Sequence, residues 1–526
     1  MREKIENGQT YLGIEFGSTR IKACLIDDTF APIADGSHQW ENRLENGVWT
    51  YSPDDIKTGL QSCYADLKRN VQERYGITLK TIGAMGISAM MHGYMAFDSE
   101  DNLLVPFRTW RNTCTQQAAE TLTELFRFNI PQRWSIAHLY QAILNGEEHV
   151  SHIAHLNTLA GYVHFLLTGQ HKLGIGDASG MFPVRNNKYN TEMAEKFSGL
   201  EKVRKYGWKL LEILPEIALA GEQCGTLTES GARLLDPFGD LQSGVQLCPP
   251  EGDAGTGMAA TNAVLPRTGN VSAGTSVFSM LVLEKPLIGS YPEIDIVTTP
   301  DGADVAMVHC NNCCGELDAW VNMFIEFSEL SGNPIDRSRT YELLYKNALN
   351  SSSDCGDITA YNYISGEPVT EIEKGSPAYF RTPDSKMNLA NFFRAELYSA
   401  LAALKSGNDI LTKKEGVTAD SFTGHGGLFK VQGAAQQILA DALNADVSVM
   451  STAGEGGAWG MALLAAYMKH SDGKTLPEWL ETEVFAGMDK YTLSPDNKGV
   501  NGWKAYMERY RRGLEAEKIL GGIANA

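Results

Sequence analysis

A chain of 526 residues exceeds what one ordinary core accommodates, so two large domains or several small ones are expected. Its formal charge of −19 excludes nucleic acid as a partner, because that binding needs a basic surface to neutralise phosphates. No run approaches the ~18 apolar residues of a membrane span, the opening MREKIENGQT lacks the apolar core of a secretory signal, and nine scattered cysteines make no disulfide framework, so a cytoplasmic globular protein is expected.

The stretch YLGIEFGSTRIKACLIDD runs apolar on both sides of Gly17-Ser18-Thr19, the pattern of two strands joined by a tight turn. Glu15 lies two residues before that turn on an otherwise apolar strand, where a charge is costly unless it faces a polar cleft. In a cleft it could hold a hydrated magnesium; at a sheet edge it would simply face solvent. Helical periodicity then marks 53–75, 115–126, 156–167, 315–330, 388–403, 434–443 and 457–468. Between the first two, GISAMMHGYMAFD puts His92 after a strand, and WRNTC supplies Trp110, Arg111 and Asn112. Aromatic faces pack on sugar C–H groups and His or Asn bonds hydroxyls directionally, although a lone histidine is more often structural.

In PPEGDAGTGMAATNAV, Asp253 is ringed by glycine and alanine where a helix begins. An aspartate there can accept a hydroxyl proton as the oxygen attacks phosphorus, with the amides of Ala254 and Gly255 facing the transferred group, and can also serve as a plain N-cap. The small-residue run GMAATNAVLPRTGN marks a boundary, dividing a first lobe, 1–262, from a second, 263–526. The second lobe opens with GNVSAGTSVFSMLVLEK, a hairpin pattern around Gly274-Thr275-Ser276 that repeats the first about half a chain length later. Internal duplication into two similar α/β lobes follows, each offering a turn whose amides can cradle a phosphate.

Further on, VHCNNCCGELDAW gathers Cys310, Cys313 and Cys314 beside His309, but no second pair follows to complete a zinc set, so buried thiols are expected. The polar stretch 347–357 reads as a surface loop. In SFTGHGGLFKVQGAAQQILADAL, Gly424, Gly426 and Gly427 lead into a helix carrying Gln437 and Asp441, where a purine ring could lie flat. Glu455-Gly456-Gly457 opens a last small-faced helix, expected to pack on 434–443.

Taken in order, GIEFGSTRIK, PPEGDAGTG, GNVSAGTSVF, GHGGLFKVQGAAQQILAD and AGEGGAWGMALLAA resemble the FGGY family of carbohydrate kinases over nearly the whole chain. The resemblance implies two RNase H-like α/β lobes of the actin and hexokinase type, with ATP and a sugar in a central cleft that closes during turnover. It implies ATP and Mg²⁺ as cofactors, Asp253 as catalytic base, and Glu15 with Asp253 at the metal. The first phosphate motif is Gly17, Ser18, Thr19 and Lys22; the second is Gly274, Thr275 and Ser276; Gly426, Gly427 and Gln437 serve the adenosine. An acidic chain must offer such local donors to hold a nucleotide against its overall field.

MMHGYMAFD is similar to the xylulokinase branch, in which a Met-His pair touches the sugar, implying Met91 and His92, with Trp110, Asn112 and Asp253 completing that site. D-xylulose, phosphorylated at its 5-hydroxyl, is the expected substrate. The alternatives are another ketose or polyol (ribulose, fuculose, rhamnulose, glycerol) or a non-catalytic actin-like ATP-binding protein. Departures from the family are Glu15 where aspartate is usual, Trp110-Arg111-Asn112-Thr113-Cys114 where Trp-x-Asp-x-Arg is frequent, and NNCCGELDAW, which resembles the ribulokinase branch. The partners implied are a small sugar and ATP, with neither nucleic acid nor membrane, and a homodimer, as family members often form.

Overall fold

Strands with apolar residues on both faces need a helix on each side, and the first hairpin has both. The computed structural model describes residues 1–450 and 456–524. They form two units, Met1–Val264 with Asp295–Val305 and Glu455–Gly487, and Leu265–Ile294 with Ala306–Gly454 and Met488–Ala526. The chain first crosses between units at Val264, close to the expected cut after residue 262, but two later stretches return to the first unit, which a single cut cannot express.

In the first unit, strands Tyr11–Phe16 and Arg20–Ile26 form the expected antiparallel hairpin, extended on one side by Pro32–Gln39 and on the other by the parallel strand Ala84–Ala89. Gln246–Leu247 and Glu251–Gly252 add to the far edge of Ala84–Ala89, both parallel to it. The helix Pro53–Tyr75, closed by a Ser52/Asp55 capping box and by Gly76 at φ 68°, covers the face that carries Ile21 and Gly36. The helix Gly456–His470 covers the opposite face, where a Cβ on Gly13 would lie 2.1 Å from the Ala458 carbonyl oxygen. That backbone-to-backbone approach, repeated where a Cβ on Gly460 would lie 2.0 Å from the Thr256 carbonyl, seats this helix on the first unit's sheet and on helix Asp253–Ala260. The sequence reading had packed it on 434–443; its small residues serve other partners. Glu455, part of that reading, lies outside the described residues.

The second unit repeats the plan. Strands Thr268–Ala273 and Val277–Val282 form the second hairpin, followed by parallel strands Ser421–His425 and Asp446–Met450 and by the antiparallel Lys490–Leu493. Its core is threaded by helix Leu389–Lys413, which runs beyond the expected 388–403, while helices Gly315–Leu330 and Ala434–Leu443 have the expected bounds. At 156–167 the helix starts only at Leu159, because Thr158 caps it and His155–Asn157 is a strand. The stretch 347–357 is not a free surface loop: the Ser353 carbonyl accepts the Tyr398 hydroxyl at 2.9 Å, Asn391 binds the Ser352 amide at 2.8 Å, and Cys355 is buried. Its serines spend their backbone groups on helix Leu389–Lys413. No helix among the described residues is long and apolar enough to cross a membrane.

Candidate active site

Strand register in the first unit lines up polar side chains on one face. Lys22 is the register partner of Glu15, Glu15 of Ser88, and Ser88 of Glu251, so the four form a row across four strands, at the end where the first hairpin turns. Two helix N-termini meet this row. Helix Gly456–His470 begins beside Glu15, which accepts the Ala458 amide, and a Cβ on Gly457 would lie 2.5 Å from Glu15 Oε1 and displace that carboxylate. Helix Asp253–Ala260 begins beside Glu251, and its Thr256 hydroxyl is 3.0 Å from that of Ser88. The amides of both N-termini favour negative charge there, and those of Ala458 and Ala254 are taken by Glu15 and Asp253.

Four carboxyl groups crowd this region, and all are held above their ordinary range. Burial pushes Glu15 up to about 7, the charge of Asp253 adding to the rise and Lys22 opposing it. Asp253 stands at about 6, raised by burial and restrained by the amides of Met91, Ala254 and its own residue. Glu251, fully buried, is pushed up to about 8 by burial and by Asp177 although it accepts the Gly176 and Asp177 amides at 3.1 and 3.0 Å. Asp177 reaches about 7 through burial, against the bond from the Thr158 hydroxyl to its Oδ2 at 2.6 Å and with Asp253 adding to the rise. Its Oδ1 is buried without a partner among the described atoms, 3.3 Å from where a Cβ on Gly252 would stand. Sequence reading missed Asp177 and Glu251, although the signal that flagged Glu15, an acid inside an apolar and glycine-rich run, is equally present in LGIGDASG and CPPEGD.

One expected result follows from Asp177. Its folded pKa lies above the unfolded value of roughly 3.9, so folding favours the protonated acid, and the stability it lends is complete below that value and lost as pH climbs to about 7. Asp177→Asn, neutral throughout, gains on the parent protein across that window and no further above it. Denaturant midpoints of both proteins over the pH range check this; parallel slopes would show Asp177 to be charged in the fold.

Of the residues expected at the sugar, the Met91-His92 turn adjoins Asp253. The Met91 amide donates to Asp253 Oδ1 at 3.1 Å, so the Met91-His92 turn itself positions the carboxylate. His92 and Gly93 both sit at left-handed φ, 70° and 90°, which swings the imidazole back beneath Trp134, stacked at 6.2 Å. His92 Nδ1 faces the Gly180 carbonyl at 3.3 Å; a carbonyl only accepts, so in the neutral ring Nδ1 carries the proton and Nε2 is an acceptor. Gly252 must be glycine, since a Cβ there would lie 2.1 Å from Met91 Cγ. Trp110 is half-buried and its Nε1 donates to the Ser18 hydroxyl at 3.3 Å, tying the aromatic to the first turn. Asn112 is differently employed: both amide hydrogens are bound, to the Trp49 and Thr109 carbonyls at 2.9 Å each, and its oxygen accepts the Trp49 amide. It braces the loop and has no donor left for a hydroxyl.

Both glycine turns have their carbonyls held from behind. In the first, Trp40 Nε1 binds the Gly17 carbonyl at 2.7 Å, the Tyr51 hydroxyl binds that of Ser18 at 2.6 Å, and the Trp40 amide binds that of Thr19 at 3.2 Å. In the second, the amides of Cys314 and Cys313 bind the Gly274 and Thr275 carbonyls, each at 3.0 Å. Fixing the carbonyls backward turns the intervening amides outward, the arrangement a phosphate requires. The cysteine segment thus supports a turn through its backbone; Cys310 and Cys313 are buried and the Cys313 and Cys314 sulfurs lie 3.7 Å apart.

Within the second unit, Gly426 adopts φ 99° against the end of the neighbouring strand, its Cβ position 2.4 Å from the Ala273 carbonyl. Gly426 and Gly427 therefore adjoin the Gly274 turn at the same strand ends. Gln437 is one turn of helix away from this loop's end and is engaged elsewhere: its amide donates to Asp441 at 2.9 Å and to the Ser494 carbonyl at 3.0 Å, while Asp441 accepts the Asp496 amide ahead of helix Asn497–Ala524. The pair fastens the C-terminal helix, and only the Gln437 carbonyl is left for a ligand.

Comparison with known proteins identifies the family. The model of the FGGY family of carbohydrate kinases, N-terminal domain, matches residues 10–237, and that of the C-terminal domain matches 269–468. The chain is 22% identical over 522 residues to the xylulose kinase of Haemophilus influenzae, covering 95% of this chain and 98% of that protein. Among solved structures, a ligand-bound xylulose kinase from Lactobacillus acidophilus matches with a TM-score of 0.80 at 17% identity, covering 98% of this chain and 99% of that one. A gluconate kinase from the same organism matches with a TM-score of 0.78, also at 17% identity and with the same coverage. Two enzymes named for different substrates share the mixed α/β, two-domain fold almost equally, so the fold does not choose the sugar. With both of its domain models matched along the chain, the protein belongs to the FGGY family of carbohydrate kinases, a family whose sugar kinases use ATP.

Proposed function

We propose that the protein transfers the γ-phosphoryl group of ATP to the terminal hydroxyl of a ketopentose, D-xylulose first among them, releasing the 5-phosphate and ADP. The observation that carries this reading is the 3.1 Å bond from the Met91 amide to Asp253: one turn presents His92 and sets the carboxylate. Asp253 takes the proton of the attacking hydroxyl, the sugar oxygen bonds to phosphorus, and the bond to the ADP oxygen breaks. His92 Nε2 accepts from a second hydroxyl and fixes the sugar, and Trp110 covers its C–H face. The Gly17 and Gly274 amides close their own turns, on the Arg20 and Ser276 carbonyls at 3.0 and 2.9 Å, so the donors offered to phosphate are the amides of Ser18 and Thr19 with Lys22 in the first unit and those of Thr275 and Ser276 in the second.

Glu15 and Asp253 fit a magnesium ion, since they offer only oxygen and since each is a buried acid raised above its ordinary range, with Lys22 the cation that opposes the rise at Glu15. When bound, the ion supplies neutralisation of phosphate charge. The chain's similarity to a relative named xylulose kinase favours D-xylulose. A cytoplasmic homodimer belongs to the same reading, and its mass in solution tests the assembly.

An ADP-release assay over D-xylulose, ribulose, L-fuculose, L-rhamnulose, gluconate and glycerol decides the substrate. D-xylulose is expected to exceed each of the others in kcat/KM by about tenfold or more, the margin that misplaced hydroxyls impose on a hydrogen-bonding site. A higher value for another member of the panel would reassign the sugar.

A further inference from the structure

Among the described residues, Asp101, His155 and His171 bring a carboxylate and two imidazoles together, their ligand atoms within 4.8 Å of one another. His155 Nε2 lies 3.3 Å and His171 Nε2 3.4 Å from the same oxygen, Asp101 Oδ1. Each ring is fixed by an aromatic face: His155 stacks on Phe97 at 5.1 Å with 9° between planes, and His171 on Phe165 at 4.3 Å with 11°. Asp101 sits at the tip of a short hairpin held by Asp98, which accepts the Glu100 and Asn102 amides at 2.9 Å each. The two rings are partly buried and the carboxylate is exposed, so the open side of the trio faces water.

We propose that these three residues bind one divalent transition cation of the zinc type, apart from the catalytic carboxylates. Two imidazole nitrogens and one carboxylate oxygen suit zinc and its neighbours, with water in the fourth position, whereas magnesium prefers an all-oxygen set. The ligands come from three segments that each lead toward the sugar side of the unit. Strand Met95–Phe97 connects Asp101 back to His92; strand His155–Asn157 runs into Thr158, which bonds Asp177; and strand Lys172–Gly174 carries His171 into the helix that holds Asp177. A cation at the trio staples these three segments together close in sequence to Thr158 and Asp177.

The test is titration of the full-length protein, stripped with a chelator, with Zn²⁺ in excess Mg²⁺, followed by calorimetry and thermal melting. About one Zn²⁺ per chain is expected to bind without competition from Mg²⁺ and to raise the melting midpoint. Asp101→Asn, at an exposed position, is expected to melt like the parent in chelator yet lose at least the roughly ten- to hundredfold in Zn²⁺ affinity that removing even a ligand's supporting partner costs, as is His171→Ala. Cys114→Ser, which removes the exposed thiol, should change nothing. Absence of stoichiometric binding, full affinity in Asp101→Asn and His171→Ala, or loss of binding in Cys114→Ser would each overturn the assignment.

Discussion

Asp253→Asn is expected to lower kcat by roughly a hundred- to ten-thousandfold, the range that a positioned general base supplies, with ATP affinity changed only a few-fold. The asparagine carbonyl can still accept the Met91 amide, so the His92 turn keeps its place while the group that receives the proton is gone. Thermal stability should hold or rise, because a buried acid raised to about 6 is replaced by a neutral amide of the same shape. The parent enzyme carries a matching pH signature. A base must be ionised, so kcat/KM falls on the acid side, with its limb between the values of Asp253, about 6, and Glu15, about 7. A variant retaining more than a tenth of the parent's kcat would show that another group accepts the proton.

Both hairpins and the repeated plan of the two units were legible in the sequence because an apolar run broken by a glycine turn is a local pattern. The same holds for helix 53–75, whose Ser52 and Asp55 form a capping box, and for the helix start at Asp253. What could not be read is long-range. Register alone brings Glu251 into line with Ser88 and Glu15, and nothing near Glu251 in sequence tells of Asp177 beside it. Asn112 and Gln437 fail in the other direction: their residue types suit ligands, but the Trp49 backbone and the Ser494 carbonyl, distant in sequence, have already taken their donors. The trio at Asp101 is likewise scattered over three segments, and neither histidine sits in a spacing that signals a metal.

Gly13→Ala should cost the fold heavily for a single methyl group. Its Cβ would meet two backbone atoms of helix Gly456–His470, the Ala458 oxygen at 2.1 Å and the Ala462 nitrogen at 2.4 Å, and backbone cannot swing aside as a side chain can. Nor can the helix slide away freely, because Gly460 is seated against the Thr256 carbonyl and Trp459 Nε1 is bound to the Phe30 carbonyl at 3.0 Å. Overpacking of this kind costs about 3 kcal/mol, and a fall in the melting midpoint of roughly 5 °C follows for a unit of this size. Activity should fall with it beyond the loss of folded protein, since the displaced helix carries the Ala458 amide that holds Glu15 two residues along the same strand. Gly207→Ala, where a Cβ meets nothing within 4 Å, is the matched control and should melt with the parent. Equal midpoints for the two variants would mean that the strand and this helix are not in the contact that places Glu15 beside Asp253.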